Sequence, residues 1–157
     1  MKLKTIESFK VNHDKLQKGM YVSRTDGSII TYDIRMKRPN NPENDYLPNA
    51  AMHTIEHLFA SFARSTKYSD NVIYIGPMGC RTGFYFLVRD KISRNEALEI
   101  VQDTMEFIKN FEGRIPGADR IECGNYKEHD LEGAKAIARD MSEVLKDWNT
   151  EKMIYEQ

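Results

Sequence analysis

The alternation of hydrophobic and polar positions predicts a β-hairpin near the start of the chain. Residues 19–36 contain two β-branched and aromatic runs separated by Asp26-Gly27, a pair that favours a tight turn. In the second run, apolar and polar side chains fall on opposite faces. The apolar face carries Ile30, Tyr32 and Ile34, and the polar face carries Thr31, Asp33 and Arg35.

Further apolar runs predict additional strands. Val72–Ile75 and Gly83–Arg89 are joined by a turn that is rich in glycine and proline and contains Cys80. A shorter apolar stretch around Ile121–Cys123 indicates a short strand within a loop.

Three segments have apolar residues at helical spacing and predict helices. They cover residues 50–65, Ser93–Gly113 and Asp130–Trp148. The second opens with a capping box formed by Ser93 and Glu96, and the third opens at an aspartate suited to capping. Hairpin-like strand order and three helices predict an α+β fold, with one antiparallel sheet of about four strands and helices packed on it.

Length and charge limit the classes of function. A chain of 157 residues without repeats or a visible domain boundary fits one domain, spanning residues 1–157. The 24 acidic and 23 basic residues nearly cancel and form no basic block, so we expect no nucleic-acid partner and no membrane partner. The partner is expected to be a small molecule or another protein.

The N-terminus and the cysteine content indicate a cytoplasmic protein. The opening residues MKLKTIESFKVNH lack the apolar core of a signal peptide, and no apolar run approaches the roughly 18 residues of a membrane span. In the cytoplasm Cys80 and Cys123 are expected as free thiols, because thiol buffers there disfavour disulfides. Two thiols beside a histidine pair point to a metal ligand or a nucleophile.

The predicted helix at 50–65 carries His53, Glu56 and His57 among apolar residues. At about 100° per residue, the two histidines lie about 40° apart around the axis and one turn apart along it, so both can bind one metal ion. Glu56 falls between them and the apolar stripe, where a partly desolvated carboxylate is suited to proton transfer. The pattern therefore favours a metal site with a neighbouring base over three unrelated polar residues.

These residues leave the third ligand and the chemistry open. The candidate third ligands are Cys123, Cys80, Glu122 and Glu128. The order H-x-x-E-H is also the zinc signature of inverted zinc peptidases, in which Glu56 would activate a water molecule. A further alternative is a structural metal site in a non-catalytic protein, with Cys80 as the fourth ligand.

Five blocks of the sequence resemble S-ribosylhomocysteine lyase, the enzyme that forms the autoinducer-2 precursor. They occur in the family's order and cover nearly the whole chain. They are ESFKVNH at 7–13, YDIRM at 32–36, HTIEHLFA at 53–60, GPMGCRTGFY at 76–85 and ECGNYKEHDLEGAK at 122–135. One block alone would be a weak signal, but five together are highly specific.

The resemblance implies which residues bind the metal and move protons. His53, His57 and Cys123 match the ligands of one divalent metal ion per subunit, which is iron(II) in the cell and zinc or cobalt in isolated protein. Glu56 and Cys80 match the two general acid/base residues of the family.

The resemblance also implies a substrate and an assembly. Ser8, His13 and Arg35 match residues that line the ribose pocket, although by themselves they resemble ordinary loop and strand residues. The substrate would be S-ribosylhomocysteine, cleaved to homocysteine and 4,5-dihydroxypentane-2,3-dione by metal-assisted carbonyl migration through enediolates and β-elimination of the thiol. The family enzyme is a homodimer with active sites at the subunit interface.

One block departs from the family pattern, and one histidine has a simpler interpretation. Where the family often has D-I-S-P-M-G-C, this chain has YIGPMGC, with Tyr74 and Gly76 in place of the aspartate and the serine. His129 and Asp130 are interpreted as the cap of the following helix rather than a second site.

Overall fold

The predicted hairpin is present in the computed structural model, which describes residues 1–157. Strand β1, Gly19–Asp26, pairs antiparallel with β2, Ile29–Arg35. Gly27 in the turn has a φ of 58°, a left-handed conformation that glycine adopts at little cost. Tyr32 and Ile34 are fully buried, which confirms the predicted apolar face of β2.

The sheet has four antiparallel strands in the order β1-β2-β4-β3, where β3 is Val72–Pro77 and β4 is Gly83–Arg89. β2 pairs with β4 along its full length, so that Arg35 at the end of β2 lies opposite Gly83 at the start of β4. This register brings the end of β2 beside the turn that contains Cys80.

Three long helices accompany a one-turn helix, and together with the sheet they confirm the α+β fold. The bounds are α1 Glu7–Lys10, α2 Asn49–Ala63, α3 Arg94–Lys109 and α4 Leu131–Leu145. Short 3-10 turns cover Ser69–Asn71 and Thr150–Met153. Ser93 and Glu96 form the predicted capping box of α3, and the Asp130 carboxylate accepts the Gly133 N–H at the start of α4.

A cluster of 26 buried residues fills the space between the sheet and the helices. Its largest members are fully buried aromatic residues from β2, α2 and β4: Tyr32, Phe59, Phe84 and Phe86. Burial of each such side chain contributes about 1.5–3 kcal/mol to stability. The core covers one face of the sheet, and the polar residues of β2 point to the opposite face.

Three predicted elements differ from the structure. The helix expected to reach Trp148 ends at Leu145. The helix expected to reach Gly113 ends at Lys109, because the N–H groups of Asn110 and Phe111 bond back to α3 and close its last turn. The short strand expected around Ile121–Cys123 is a turn, since the N–H groups of Glu122 and Cys123 both bond to the Asp119 carbonyl. Local hydrogen bonding replaces a ladder there.

None of the helices is both long enough and apolar enough to cross a lipid bilayer.

The β2–β4 register predicts that Gly83→Ala destabilises the protein. A Cβ on Gly83 would overlap the backbone carbonyl of Ile34, which the sheet prevents from moving away. We expect a loss of about 2–4 kcal/mol in the free energy of unfolding, measured by urea denaturation with circular dichroism. Gly79→Ala is the matched control, because no atom lies within 4 Å of a Cβ there. Equal stability of the two variants would contradict the close approach of the strands.

Candidate active site

Helix α2 carries His53, Glu56 and His57 on the flank of its buried face. Ile55, Leu58 and Phe59 anchor the helix in the core, and the three polar residues are half-buried. Their position confirms the helical prediction and leaves the imidazoles facing the segment that precedes α4.

Backbone carbonyls orient both imidazoles. Nδ1 of His53 lies 2.7 Å from the Glu128 carbonyl, and Nδ1 of His57 lies 2.8 Å from the Pro116 carbonyl. Because a carbonyl only accepts, each Nδ1 carries the hydrogen and donates it. The Nε2 atoms therefore present lone pairs, and they lie only 3.1 Å apart. Two facing lone pairs repel one another unless a cation lies between them, and such outer hydrogen bonds are typical of metal-binding histidines.

Cys123 brings a sulfur to the same place. Its Sγ lies 3.4 Å from Nε2 of His53 and 3.9 Å from Nε2 of His57. Ligand distances of about 2.0–2.1 Å for nitrogen and about 2.3 Å for sulfur place tetrahedral donors roughly 3.3–3.6 Å apart. The spacing of these three donor atoms thus suits a tetrahedral divalent ion. Of the four candidate third ligands, Cys123 is the one that joins the histidines.

His129, interpreted from the sequence as part of a helix cap, also belongs to this cluster. Its ligand atom lies within 4.8 Å of those of His53, His57 and Cys123. Asp130 does cap α4, so that half of the interpretation is confirmed. No periodicity marks His129, because its position depends on the loop that returns from α3 to the side of α2.

Ring geometry distinguishes His129 from the ligand pair. The rings of His53 and His57 cross at 83°, so one ion can lie in both planes. The His129 ring instead stacks on His53, with centroids 4.0 Å apart and planes 20° from parallel. An imidazole lone pair lies in the ring plane, and one ion cannot lie in the planes of two stacked rings. His129 therefore packs on His53, while its ring crosses that of His57 at 82°.

Thr54 determines the protonation of His129. The Thr54 hydroxyl lies 3.1 Å from the Ala50 carbonyl, accepts the Asp130 N–H at 2.9 Å, and lies 3.0 Å from Nδ1 of His129. Since its only hydrogen goes to Ala50, Nδ1 of His129 donates to Thr54. Burial, followed by repulsion from His53 and His57 in their protonated forms, lowers the pKa of His129 to about 4. The ring is neutral at pH 7, and its buried Nε2 has no partner within the chain.

A second group of predicted site residues surrounds Cys80. A cavity of about 340 Å³ is lined by Ser8, His13, Arg35 and Cys80, together with Tyr85 and neighbouring turn residues. Cys80 is an exposed free thiol in the turn between β3 and β4. The fold thus collects four residues that are up to 72 positions apart in the sequence, from Ser8 to Cys80.

Arg35 is buried rather than solvated. Its side chain is 3% exposed and forms two hydrogen bonds to Asp33, which is 1% exposed. Burial disfavours the charge, but the Asp33 carboxylate outweighs that effect and raises the pKa of Arg35 above its ordinary value. The guanidinium is therefore a fixed cation beside the cavity.

The two groups do not meet within one chain. The Cys80 cavity has no residue of the histidine cluster in its lining, and the hydrogen bonds of Arg35 and Cys80 run to Asp33 and Thr82. The histidines instead contact the segment between α3 and α4. A single chain therefore keeps the histidine cluster and the Cys80 cavity apart.

The departure at positions 74 and 76 is a linked change. The Tyr74 ring covers the position that a side chain on Gly76 would occupy. Tyr74 is 53% exposed and lines an apolar cavity of about 330 Å³ on the outer face of the sheet. A serine at position 76 would have to displace the Tyr74 ring, so the two departures are sterically coupled.

Comparison with known proteins agrees with the resemblance drawn from the five blocks. The family S-Ribosylhomocysteinase (LuxS) matches residues 6–152. The chain is 42% identical to the S-ribosylhomocysteine lyase of Phocaeicola vulgatus over 98% of each chain. It is 44% identical to that of Finegoldia magna, over 96% of this chain and 97% of the relative, and 39% identical to that of Clostridium acetobutylicum, over 98% and 99%. The chain belongs to the S-ribosylhomocysteinase family.

Proposed function

We propose that this chain is an S-ribosylhomocysteine lyase. The observation that carries the proposal is the cluster of His53, His57 and Cys123, with His129 beside them, in a chain that also builds a separate pocket around Cys80. Relatives that are 39–44% identical over nearly their whole length carry that name. The reaction would release homocysteine and 4,5-dihydroxypentane-2,3-dione, the autoinducer-2 precursor.

His53, His57 and Cys123 would hold one divalent metal ion per subunit, iron(II) in the cell and zinc or cobalt in isolated protein. Two nitrogens and a thiolate suit all three metals. When bound, the metal supplies a Lewis acid for the oxygen on which negative charge develops. The carbonyls of Glu128 and Pro116 keep Nε2 of each histidine deprotonated and available.

Glu56 and Cys80 would carry the protons. The thioether at carbon 5 can leave only after the carbonyl has moved along the sugar from carbon 1 to carbon 3, and each shift takes a proton from one carbon and returns it to the next. Glu56 is half-buried and adjoins the ligand His57 in sequence, so it is placed to serve carbons near the metal. The exposed Cys80 thiol would transfer protons from the side of the cavity that Ser8, His13 and Arg35 line.

Ser8, His13 and Arg35 would hold the sugar in the Cys80 cavity. All three line it, and so does Tyr85. Arg35 is the fixed cation of this pocket, and its contact with Asp33 prevents it from swinging out into solvent.

A homodimer would bring the histidine cluster and the Cys80 cavity together in one site. We infer that the metal cluster of one protomer faces the Cys80 cavity of its partner, which gives two equivalent sites related by two-fold symmetry. Exposed apolar side chains support a covered surface here: Ile6 is 51% and Phe9 73% exposed, and each lines one of the cavities on this side of the sheet.

The two alternatives considered from the sequence have less support. A closed structural site would need Cys80 as a fourth ligand, but Cys80 lies outside the cluster. An inverted zinc peptidase would use Glu56 and the metal and would have no task for the pocket around Cys80.

The ring geometry predicts how metal binding responds to substitution. His57→Ala and Cys123→Ala should each reduce bound metal to well below one ion per chain after dialysis, because each removes a ligand. His129→Ala should keep close to one ion. Metal content by mass spectrometry and the visible spectrum of the cobalt(II) protein provide the measurement. Complete metal loss in His129→Ala would show that it is a ligand.

The proposed reaction predicts release of a free thiol. Protein purified without oxygen should release homocysteine from S-ribosylhomocysteine, as titrated with a thiol reagent. Cys80→Ala and Glu56→Gln should lower the rate by at least about 100-fold while metal stays bound, since each removes a proton carrier. Metal-loaded wild-type protein that releases no thiol would refute the proposed function.

The shared site predicts complementation between inactive variants. A mixed dimer can be assembled from one Cys80→Ala chain and one His57→Ala chain and purified through a different affinity tag on each chain. It should have about half the wild-type activity, because one of its two sites is intact. The matched control pairs a wild-type chain with a chain that carries both substitutions, and it should be inactive. The reverse outcome would place both groups in a site formed by one chain.

A further inference from the structure

A continuous path of hydrogen bonds connects the C-terminal segment to the Cys80 sulfur. It passes from Tyr155 through Asp33, Arg35 and Thr82 to Cys80. Three of these groups, Asp33, Arg35 and Thr82, are at most 3% exposed. The metal cluster takes no part in it.

Thr82 is the link that touches the sulfur. Its hydroxyl lies 3.0 Å from Sγ of Cys80 and accepts a hydrogen bond of 2.7 Å from Nη1 of Arg35. A guanidinium only donates, so the hydrogen of the Thr82 hydroxyl remains for the sulfur. A hydroxyl that donates to sulfur stabilises the thiolate over the thiol.

The hydrogen bonds of Arg35 run to Asp33 and Thr82, and Thr82 in turn contacts Cys80. Its Nε and Nη2 donate to the two carboxylate oxygens of Asp33, at 3.1 and 2.7 Å, which fixes the plane of the guanidinium and directs Nη1 at Thr82. Asp33 also balances most of the positive charge. The field of Arg35 at the sulfur is therefore partly cancelled, whereas the polarised hydroxyl of Thr82 acts at hydrogen-bonding distance.

Tyr155 holds the far end of the path. Its hydroxyl donates to Oδ2 of Asp33 at 2.7 Å, and its ring stacks on Tyr21 with centroids 5.2 Å apart. Burial, reinforced by the Asp33 charge, raises the pKa of Tyr155, so the phenol remains a donor at every working pH. The C-terminal segment thereby covers the Asp33–Arg35 pair.

We propose that Thr82 is a positioning residue that donates a hydrogen bond to the Cys80 thiolate, and that Asp33, Arg35 and Tyr155 hold it in that orientation. The proposal rests on the proposed role of Cys80 in proton transfer. The other titratable groups around the cavity are His13 and Tyr85, and neither hydrogen-bonds to Cys80 or Thr82.

The test is the pH dependence of alkylation of Cys80 by iodoacetamide, followed on the dimeric, metal-loaded protein by peptide mass spectrometry. Thr82→Val keeps the shape of the side chain and removes the hydroxyl. The midpoint of the rate against pH should rise by about one unit, because a hydrogen bond to a charged group is lost. Thr82→Ser should restore the wild-type midpoint.

Two further variants keep the test decisive. Thr104→Val removes another buried threonine hydroxyl, in α3, and should leave the midpoint unchanged. Tyr155→Phe removes one hydroxyl at the edge of the path and should raise the midpoint by a few tenths of a unit even if Thr82→Val fails to fold. In lyase assays Thr82→Val should lower kcat more than it changes KM.

The outcomes separate this inference from the proposed function. A lowered melting temperature in Thr82→Val with an unchanged midpoint would show a structural role and overturn the inference. Since alkylation is measured without substrate, an absence of lyase activity would refute the proposed function and leave the midpoint result standing.

Discussion

The antiparallel pairing of β2 with β4 is the contact on which the rest of the molecule depends. Arg35 lies opposite Gly83, and the absence of a Gly83 side chain lets the two backbones approach closely. One face of the paired strands supplies the aromatic centre of the core. The other face places Arg35 beside Thr82 and the Cys80 turn. A slip of one residue would exchange these faces, so core packing and pocket geometry are set by one register.

The metal cluster depends on a different kind of restraint. Its ligands come from a well-packed helix and from a loop without regular structure, and hydrogen bonds to backbone atoms join the two. The carbonyls of Glu128 and Pro116 orient the histidines, while the Thr54 hydroxyl ties the start of α4 to α2. Such outer contacts decide which nitrogen faces the metal, and they explain how a loop can position Cys123.

The buried charged side chains form one ion pair, Asp33 and Arg35. Removing one partner of a buried ion pair lowers protein stability by about 3–5 kcal/mol, because the other charge is then buried without a partner. Asp33 and Arg35 must therefore both stay in place. Here Tyr155 and Thr82 take up the remaining hydrogen-bonding capacity of the pair. These contacts keep the Arg35 cation fixed beside the Cys80 cavity.

The sequence by itself determined most of the helices and strands and the family to which the chain belongs. Alternation defined the hairpin, helical spacing placed His53 and His57 on one side of α2, and five motifs indicated the family. These signals are local or are matched one block at a time. They failed where an outcome depended on hydrogen bonds within a loop, as at the turn around Ile121 and the early end of α3.

Only the tertiary structure decided how these residues are grouped. No local sequence signal places His129 beside α2. Its hydrogen-bond partner there, Thr54, lies 75 positions earlier in the chain. Likewise, the alternation of β2 put Arg35 on a polar face but could not show that Asp33, Thr82 and the C-terminal Tyr155 bury it. Long-range packing creates both environments, because burial and hydrogen bonding there depend on residues that are distant in the sequence.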